Sequence, residues 1–405
     1  MQRIKNSWPD GWDILEFREF ASRKSERVKP QESNKNYPCV ELTHINQDIG
    51  TINGYVSSKD QKSTKNKFYP NQILFGKLRP YLRKFWEADF EGVCSSEIWV
   101  LEGKKMCLNK YLFHLIQTHR FNQIANVSSG TKMPRADWNF ISDYPFALPN
   151  LQEQQTIVNY LQKWDDAISS IKDLITVKKR YKKGLMQQLL SGKKRFPEFE
   201  GEEWQEVKIG DIINEVERNV EWDDSALYDL ISVKRRSEGI MHRESLHGHE
   251  IKTKNLKTVK KDDFIISRMQ VLHGASALAS EEFEGTKVSG SYHTLVARNP
   301  NKFSIKYFNY LSRTPYLYHL AYISSHGVHI EKMTFKIDDY LKKKIKIPPT
   351  KEEQDKIVEV LDAADREISL LQKELEAIKK QKKGLMQQLL TGKVRVKSKE
   401  MDYAL

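Results

Sequence analysis

The tract KKGLMQQLLSGKKRF at residues 182–196 returns as KKGLMQQLLTGKVRV at 382–396, an offset of 200 residues (382 − 182). The repeat extends upstream, where PNLQEQQTIVNYLQKWDDAISS (149–170) aligns with PTKEEQDKIVEVLDAADREISL (349–370) at the same offset. Each copy opens with proline, a capping residue (Asn150 or Thr350) and, three positions on, Glu153 or Glu353, which predicts a reciprocal capping box at a helix start. Seam residues then step by four and three: Ile157, Leu161, Trp164, Ile168, Ile171, Ile175, Lys178, Lys182, Leu185 and Leu189 in one copy, Ile357, Leu361, Ala364, Ile368, Leu371, Leu375, Ile378, Lys382, Leu385 and Leu389 in the other. This is coiled-coil spacing. It predicts a helix from about Gln152 to Leu190, roughly 58 Å long at 1.5 Å per residue, and two matching seams predict that the helices pack on each other. Gly184 and Gly384 recur at one register and predict a kink or a close backbone approach there.

Residues 196–348 leave the end of one helix and enter the start of the other. Compact domains keep their termini close, so antiparallel packing is expected, with a head at each end of a two-helix spacer and approximate twofold symmetry. The expected fold is α+β: two mixed α/β recognition heads, residues 1–148 and 196–348, and repeated helical spacers, residues 149–195 and 349–405, the last with a C-terminal tail.

The heads resemble each other weakly. NQILFGKLRPYL (71–82) corresponds to DDFIISRMQVLH (262–273), each read as a strand carrying a cation, and Phe90-Glu91-Gly92 recurs as Phe283-Glu284-Gly285. Helices are expected over 111–125 and 305–321. The helices repeat almost verbatim while the heads differ at polar positions, the pattern of one scaffold presenting two different readers.

The 405 residues carry a formal charge of +13, which suggests a polyanionic partner, nucleic acid before membrane. The start MQRIKNSWPDGW has no apolar signal-peptide core, no apolar run approaches the ~18 residues of a membrane span, and Cys39, Cys94 and Cys107 form no paired C-x-x-C. A cytoplasmic location is expected. No G-x-x-x-x-G-K-[ST] loop or N-P-P-[YF] methyltransferase motif occurs. His247-x-His249 and His326-x-x-His329 lack the cysteine or acidic partners of a metal site, so no metal is expected.

The proline-led starts containing Glu153-Gln154 and Glu352-Glu353-Gln354, the doubled KKGLMQQLL[ST]GK tract and Leu78-Arg79-Pro80-Tyr81 together resemble the DNA-specificity subunits of type I restriction–modification systems over the whole chain. The second head departs from the last marker, with Met269-Gln270-Val271 in place of Leu78-Arg79-Pro80. The resemblance implies a non-catalytic chain whose heads each read half of a bipartite double-stranded DNA target. It also implies two modification (methyltransferase) subunits docked on the helices and using S-adenosylmethionine, and restriction subunits that use ATP and magnesium. No cofactor is expected in this chain itself. A coiled-coil adaptor whose heads bind proteins is the alternative.

Base and phosphate contacts are expected from residue chemistry, arginine suiting guanine, glutamine adenine and lysine phosphate. The candidates are Lys77, Arg79, Tyr81, Arg83, Lys132 and Arg135 in the first head. In the second they are Arg235, Arg236, Arg268, Gln270, His273, Tyr292, His326 and His329.

Overall fold

The computed structural model describes residues 9–127, 133–330 and 333–396. The chain divides into two compact units, one built from residues 1–172 with 373–405 and the other from 173–372. Two long helices, Leu151–Leu189 and Lys351–Leu390, each contribute half their length to each unit.

In the first unit, the start of the first helix pairs antiparallel with the end of the second. Lys382 bonds Asp165, and Ile157, Val158 and Leu161 share a core with Met386, Leu389 and Leu390. The second unit repeats this with the halves exchanged. Lys182 Nζ lies 2.5 and 2.6 Å from the carboxylate of Asp365, and Leu189 and Leu190 pack with Ile357, Val358 and Leu361. Ile175, Ile368 and Leu375 are buried, while Ile168, Ile171, Leu185, Leu371 and Leu385 are half-buried. A lysine–aspartate pair at equivalent places in each unit pins the register of the seam.

The helix ends also complete the cores of the heads, so neither head closes on itself. This accounts for the doubled tract. After the lysine come the core residues of GLMQQLL, then Ser191 or Thr391, whose hydroxyl donates to the carbonyl of Gln187 or Gln387 at 2.6 Å. Gly192 and Gly392 follow in the left-handed region at φ 70° and 67°, the usual helix stop. A Cβ on Gly392 would come within 2.2 Å of Pro9 Cγ. Last come Arg195, which grips Glu353 at 2.9 and 2.7 Å, and Arg395, which grips Glu153 at 2.6 and 2.7 Å.

Those arginines correct the expected capping box. The side chains of Asn150 and Thr350 do accept from the backbone N–H of Glu153 and Glu353. The glutamates are drawn away, each accepting from an arginine and from an indole N–H, Trp12 in the first unit and Trp204 in the second. The adjacent glutamines tie in the heads: Gln154 accepts from Leu108 N and Gln354 from Ser304 N, each at 2.9 Å. Gly184 and Gly384 show no close approach, for nothing lies within 4 Å of a Cβ built on either, and both helices run on unbroken.

Both heads follow one path. A two-stranded ribbon joins each head's first strand to the strand leading into a long helix: Asp13–Glu16 with Pro145–Leu148, and Gln205–Lys208 with Lys344–Ile347. A four-stranded antiparallel sheet follows, ordered Ala21–Lys24, Ile98–Gly103, Ile73–Gly76, Phe85–Glu87 in one head, and Ile213–Glu215, Tyr292–Ala297, Phe264–Ser267, Ser276–Leu278 in the other. A second sheet holds a parallel pair in each, Pro38–Val40 with Gly92–Cys94 and Leu227–Val233 with Lys287–Ser289. The helices expected over 111–125 and 305–321 each divide in two, because Thr118 and Thr314 cap a new helix by accepting from Phe121 N and Leu317 N.

His114, sealed in the first core beneath the helix pair, has its pKa lowered to about 3, chiefly by burial and then by Lys382 and Lys110. The folded state keeps the ring neutral whereas the unfolded chain protonates it near 6.5. Its contribution is therefore complete above about pH 6.5 and falls as pH drops toward 3, by at most about 1.4 kcal/mol per pH unit. The urea midpoint of wild type relative to His114→Gln should stay constant above about pH 6.5 and fall progressively below it; a difference that does not change with pH would refute this.

Candidate nucleic-acid interface

The register of the first sheet places equivalent residues at one cleft in each head. Ile98 faces Gly76 and Leu101 faces Arg23, while Tyr292 faces Ser267 and Leu295 faces Glu215. Lys77 and Arg268 are therefore equivalent, each just past its strand's end rather than within the strand. Each lines an open cleft of about 660 Å³.

The clefts differ in chemistry. In the first head the Arg23 guanidinium lies over Trp138 and Trp99, 5.2 and 5.9 Å from the ring centroids, a cation–π stack. Arg135 reaches Glu97 through two nitrogens at 3.0 and 3.2 Å, and Lys77 stands 4.0 Å from the same carboxylate. In the second head Glu215 occupies the position of Arg23 and His293 that of Trp99. Their Nδ1 to Oε1 distance is 2.7 Å, and the buried Lys257 ammonium stands 3.0 Å from Glu217 and 3.6 Å from Glu215.

Beyond each cleft the chain makes a strained turn. Arg83 and Gly274 hold equivalent left-handed positions, φ 51° and 74°, and their carbonyls accept from Asp48 N and Ser237 N, themselves left-handed at φ 57° and 55°. Arg79 and Arg236 are left-handed too, at φ 52° and 58°. A non-glycine residue held this way costs about 1–3 kcal/mol and clusters where function constrains the backbone.

Arg79, Tyr81, Arg235, Arg236 and His329 are exposed. Arg236 lies against the turn holding Gln270, His273 and Gly274, where Gln270 and His273 are half-buried. Arg83 is a brace: its Nε donates to Asp48 at 2.6 Å and its Nη2 to the Gln117 carbonyl at 2.9 Å. Tyr292 packs partly into the second head's core, and His326 Nε2 lies 3.5 Å from Asp339. Lys132 lies outside the described residues. Residue chemistry alone missed Arg23, Trp99, Trp138, Glu215, Lys257 and His293, whose meeting depends on cross-strand register.

Among the described residues no group of three or more His, Cys, Asp or Glu could hold a metal ion, and no helix is long and apolar enough to cross a membrane. His247 and His249 stack on each other and direct Nδ1 to the carbonyls of Ser225 and Asp224.

Two heads on one scaffold with exchanged polar chemistry, joined to antiparallel helix halves, define a two-reader recognition protein. Residues 9–179 and 201–380 each match the type I restriction modification DNA specificity domain, and the chain belongs to that family, a family of recognition subunits rather than catalysts. It is 31% identical over 163 residues to the type I restriction enzyme EcoDI specificity subunit of Escherichia coli, covering 39% of this chain and 35% of that subunit. It is 25% identical over 423 residues to the putative MjaX specificity subunit of Methanocaldococcus jannaschii, covering 96% and 95%. The HsdS subunit from Thermoanaerobacter tengcongensis shares the fold at TM-score 0.52 and 18% identity, over 97% of this chain and all of that one. A chain from a structure of a type I R-M system, described for its assembly and conformational transition, does so at TM-score 0.61 and 18% identity, over 96% of this chain and all of that one.

Proposed function

We propose that this chain is the DNA-specificity subunit of a type I restriction–modification complex and acts in the cytoplasm. Each head reads one half of a bipartite double-stranded target. The helices dock two modification subunits, which supply S-adenosylmethionine-dependent methylation, and restriction subunits using ATP and magnesium join that assembly. The observation that supports this most is the exchange of Arg23 and Trp99 for Glu215 and His293 at one register of one scaffold. A duplicated adaptor for a single partner has no use for such a change, whereas two readers of two half-sites require it. Methylation mapping in a host expressing the complete complex should return a split motif. A complex that binds no DNA at moderate salt would overturn the reading in favour of a protein adaptor.

Arg235 and Arg236 give a narrower test. Both are exposed, so replacing both with glutamine should leave folding intact. For every phosphate that the protein no longer neutralises, the slope of log affinity against log salt should shrink by about 0.9. An unchanged slope and sequence preference would remove them from the interface.

A further inference from the structure

The cleft of the second head contains one polar atom that the fold leaves unused. His293 is 8% exposed. Its ring meets Phe335 edge-on at 5.9 Å, and its Nδ1 is held by Glu215 at 2.7 Å. An ionised carboxylate only accepts, and the Lys257 ammonium stands 3.6 Å from Glu215. A neutral imidazole in this contact carries its proton on Nδ1, which leaves Nε2 as a lone-pair acceptor. That nitrogen is shielded from solvent and finds no hydrogen-bond partner among the described residues. A buried acceptor without a partner is destabilising, and here it belongs to a residue lining an open cleft whose other walls carry Arg268, Lys257 and Asn255.

We infer that His293 is a specificity-determining residue of the second head and that its Nε2 accepts from the exocyclic amino group of a base, adenine N6 or cytosine N4. The wall suits such a guest. Arg268 brings positive charge beside an acceptor, the combination that holds a phosphate-linked base while testing its edge for a donor. A carbonyl-edged base would set oxygen against a lone pair and leave Nε2 unsatisfied, so discrimination comes from penalising the wrong partner. At the same register the first head has Trp99, whose ring offers no acceptor, with Arg23 in place of Glu215. The effect is therefore confined to one half-site.

The inference rests on the reading of the heads as DNA readers, and the test separates the two. The full chain is bound to duplexes selected from a randomised pool. Within the selected half-sites each adenine is then replaced by purine, lacking N6, and each cytosine by 2-pyrimidinone, lacking N4. Wild type should lose about tenfold in affinity at one position of one half-site. His293→Phe, which keeps the ring and the contact to Phe335, should bind amino and amino-less bases alike at that position and keep wild-type selectivity elsewhere. Purine and 2-pyrimidinone arms decide between adenine and cytosine. If His293→Phe does not melt as wild type does, His293→Leu is judged by the same criterion. A folded variant with the wild-type profile at every position, or a wild type whose affinity no amino removal weakens, overturns the inference. A wild-type chain that selects no sequence overturns the DNA-reader reading instead.

Discussion

Replacing Arg195 with alanine is expected to remove about 3–5 kcal/mol from the second unit, the cost of leaving a buried charge without its partner. Glu353 is 1% exposed and accepts from two Arg195 nitrogens and from the Trp204 indole. Without the guanidinium, one indole N–H remains to hold a carboxylate that water cannot reach. The equivalent Arg395→Ala should cost less, because the Arg395 side chain is 44% exposed against 15% for Arg195, and solvent already screens that pair. Pairing Arg195→Met with Glu353→Leu should recover most of the loss, since a well-packed apolar replacement removes both the attraction and the desolvation cost. Hydrogen exchange of the full chain measures all three, read over residues 173–372 for the two Arg195 variants and over residues 9–172 and 373–396 for Arg395→Ala. Equal losses for Arg195→Ala and Arg395→Ala would show that burial does not set the strength of this contact.

The role of Arg195 was present in the sequence but unreadable there. The long helices were legible because their signal is periodic and doubled: a seam over more than thirty residues survives any one ambiguous position, and one register repeats at a fixed offset. Their antiparallel pairing followed from the path the chain must take between them. The arginine that ends each repeat has no such period, and its partner at the start of the other repeat is distant in sequence. Glu153 and Glu353 therefore read as capping-box members until two competing donors appear. The heads were harder still. The first head's second sheet contains strands as short as Arg27–Val28 and Val56–Ser57, too short for alternation to show which face is buried. Selecting cations by residue type found Lys77 and Arg268 at the clefts, yet it also took Arg83, which braces a turn. It passed over Glu215 and His293, whose significance lies in a pairing register that propensity does not encode.

The same register separates the leucines of one helix. Leu361 and Leu370 both lie on the second long helix, but Leu361 is fully buried in the core of the second unit while Leu370 is 65% exposed. Leu361→Asp would place a carboxylate in the core that holds Ile357 and Leu189. Transfer of an unpaired charge into such surroundings costs far more than the few kcal/mol of an unpaired neutral group. A domain is stable by only about 5–15 kcal/mol. The variant is therefore expected to lose cooperative unfolding of the second unit altogether. Leu370→Asp should change stability by no more than about 0.5 kcal/mol, as surface substitutions do. Ile171 and Leu371 fall between these limits. They are half-buried, so an aspartate at either can turn its carboxylate toward water, and disruption should be partial. Thermal melts of the three classes should rank in that order. A Leu361→Asp chain that melts like wild type would mean that the helix does not seat this face in the core, and the pairing of Lys182 with Asp365 would have to be drawn in another register.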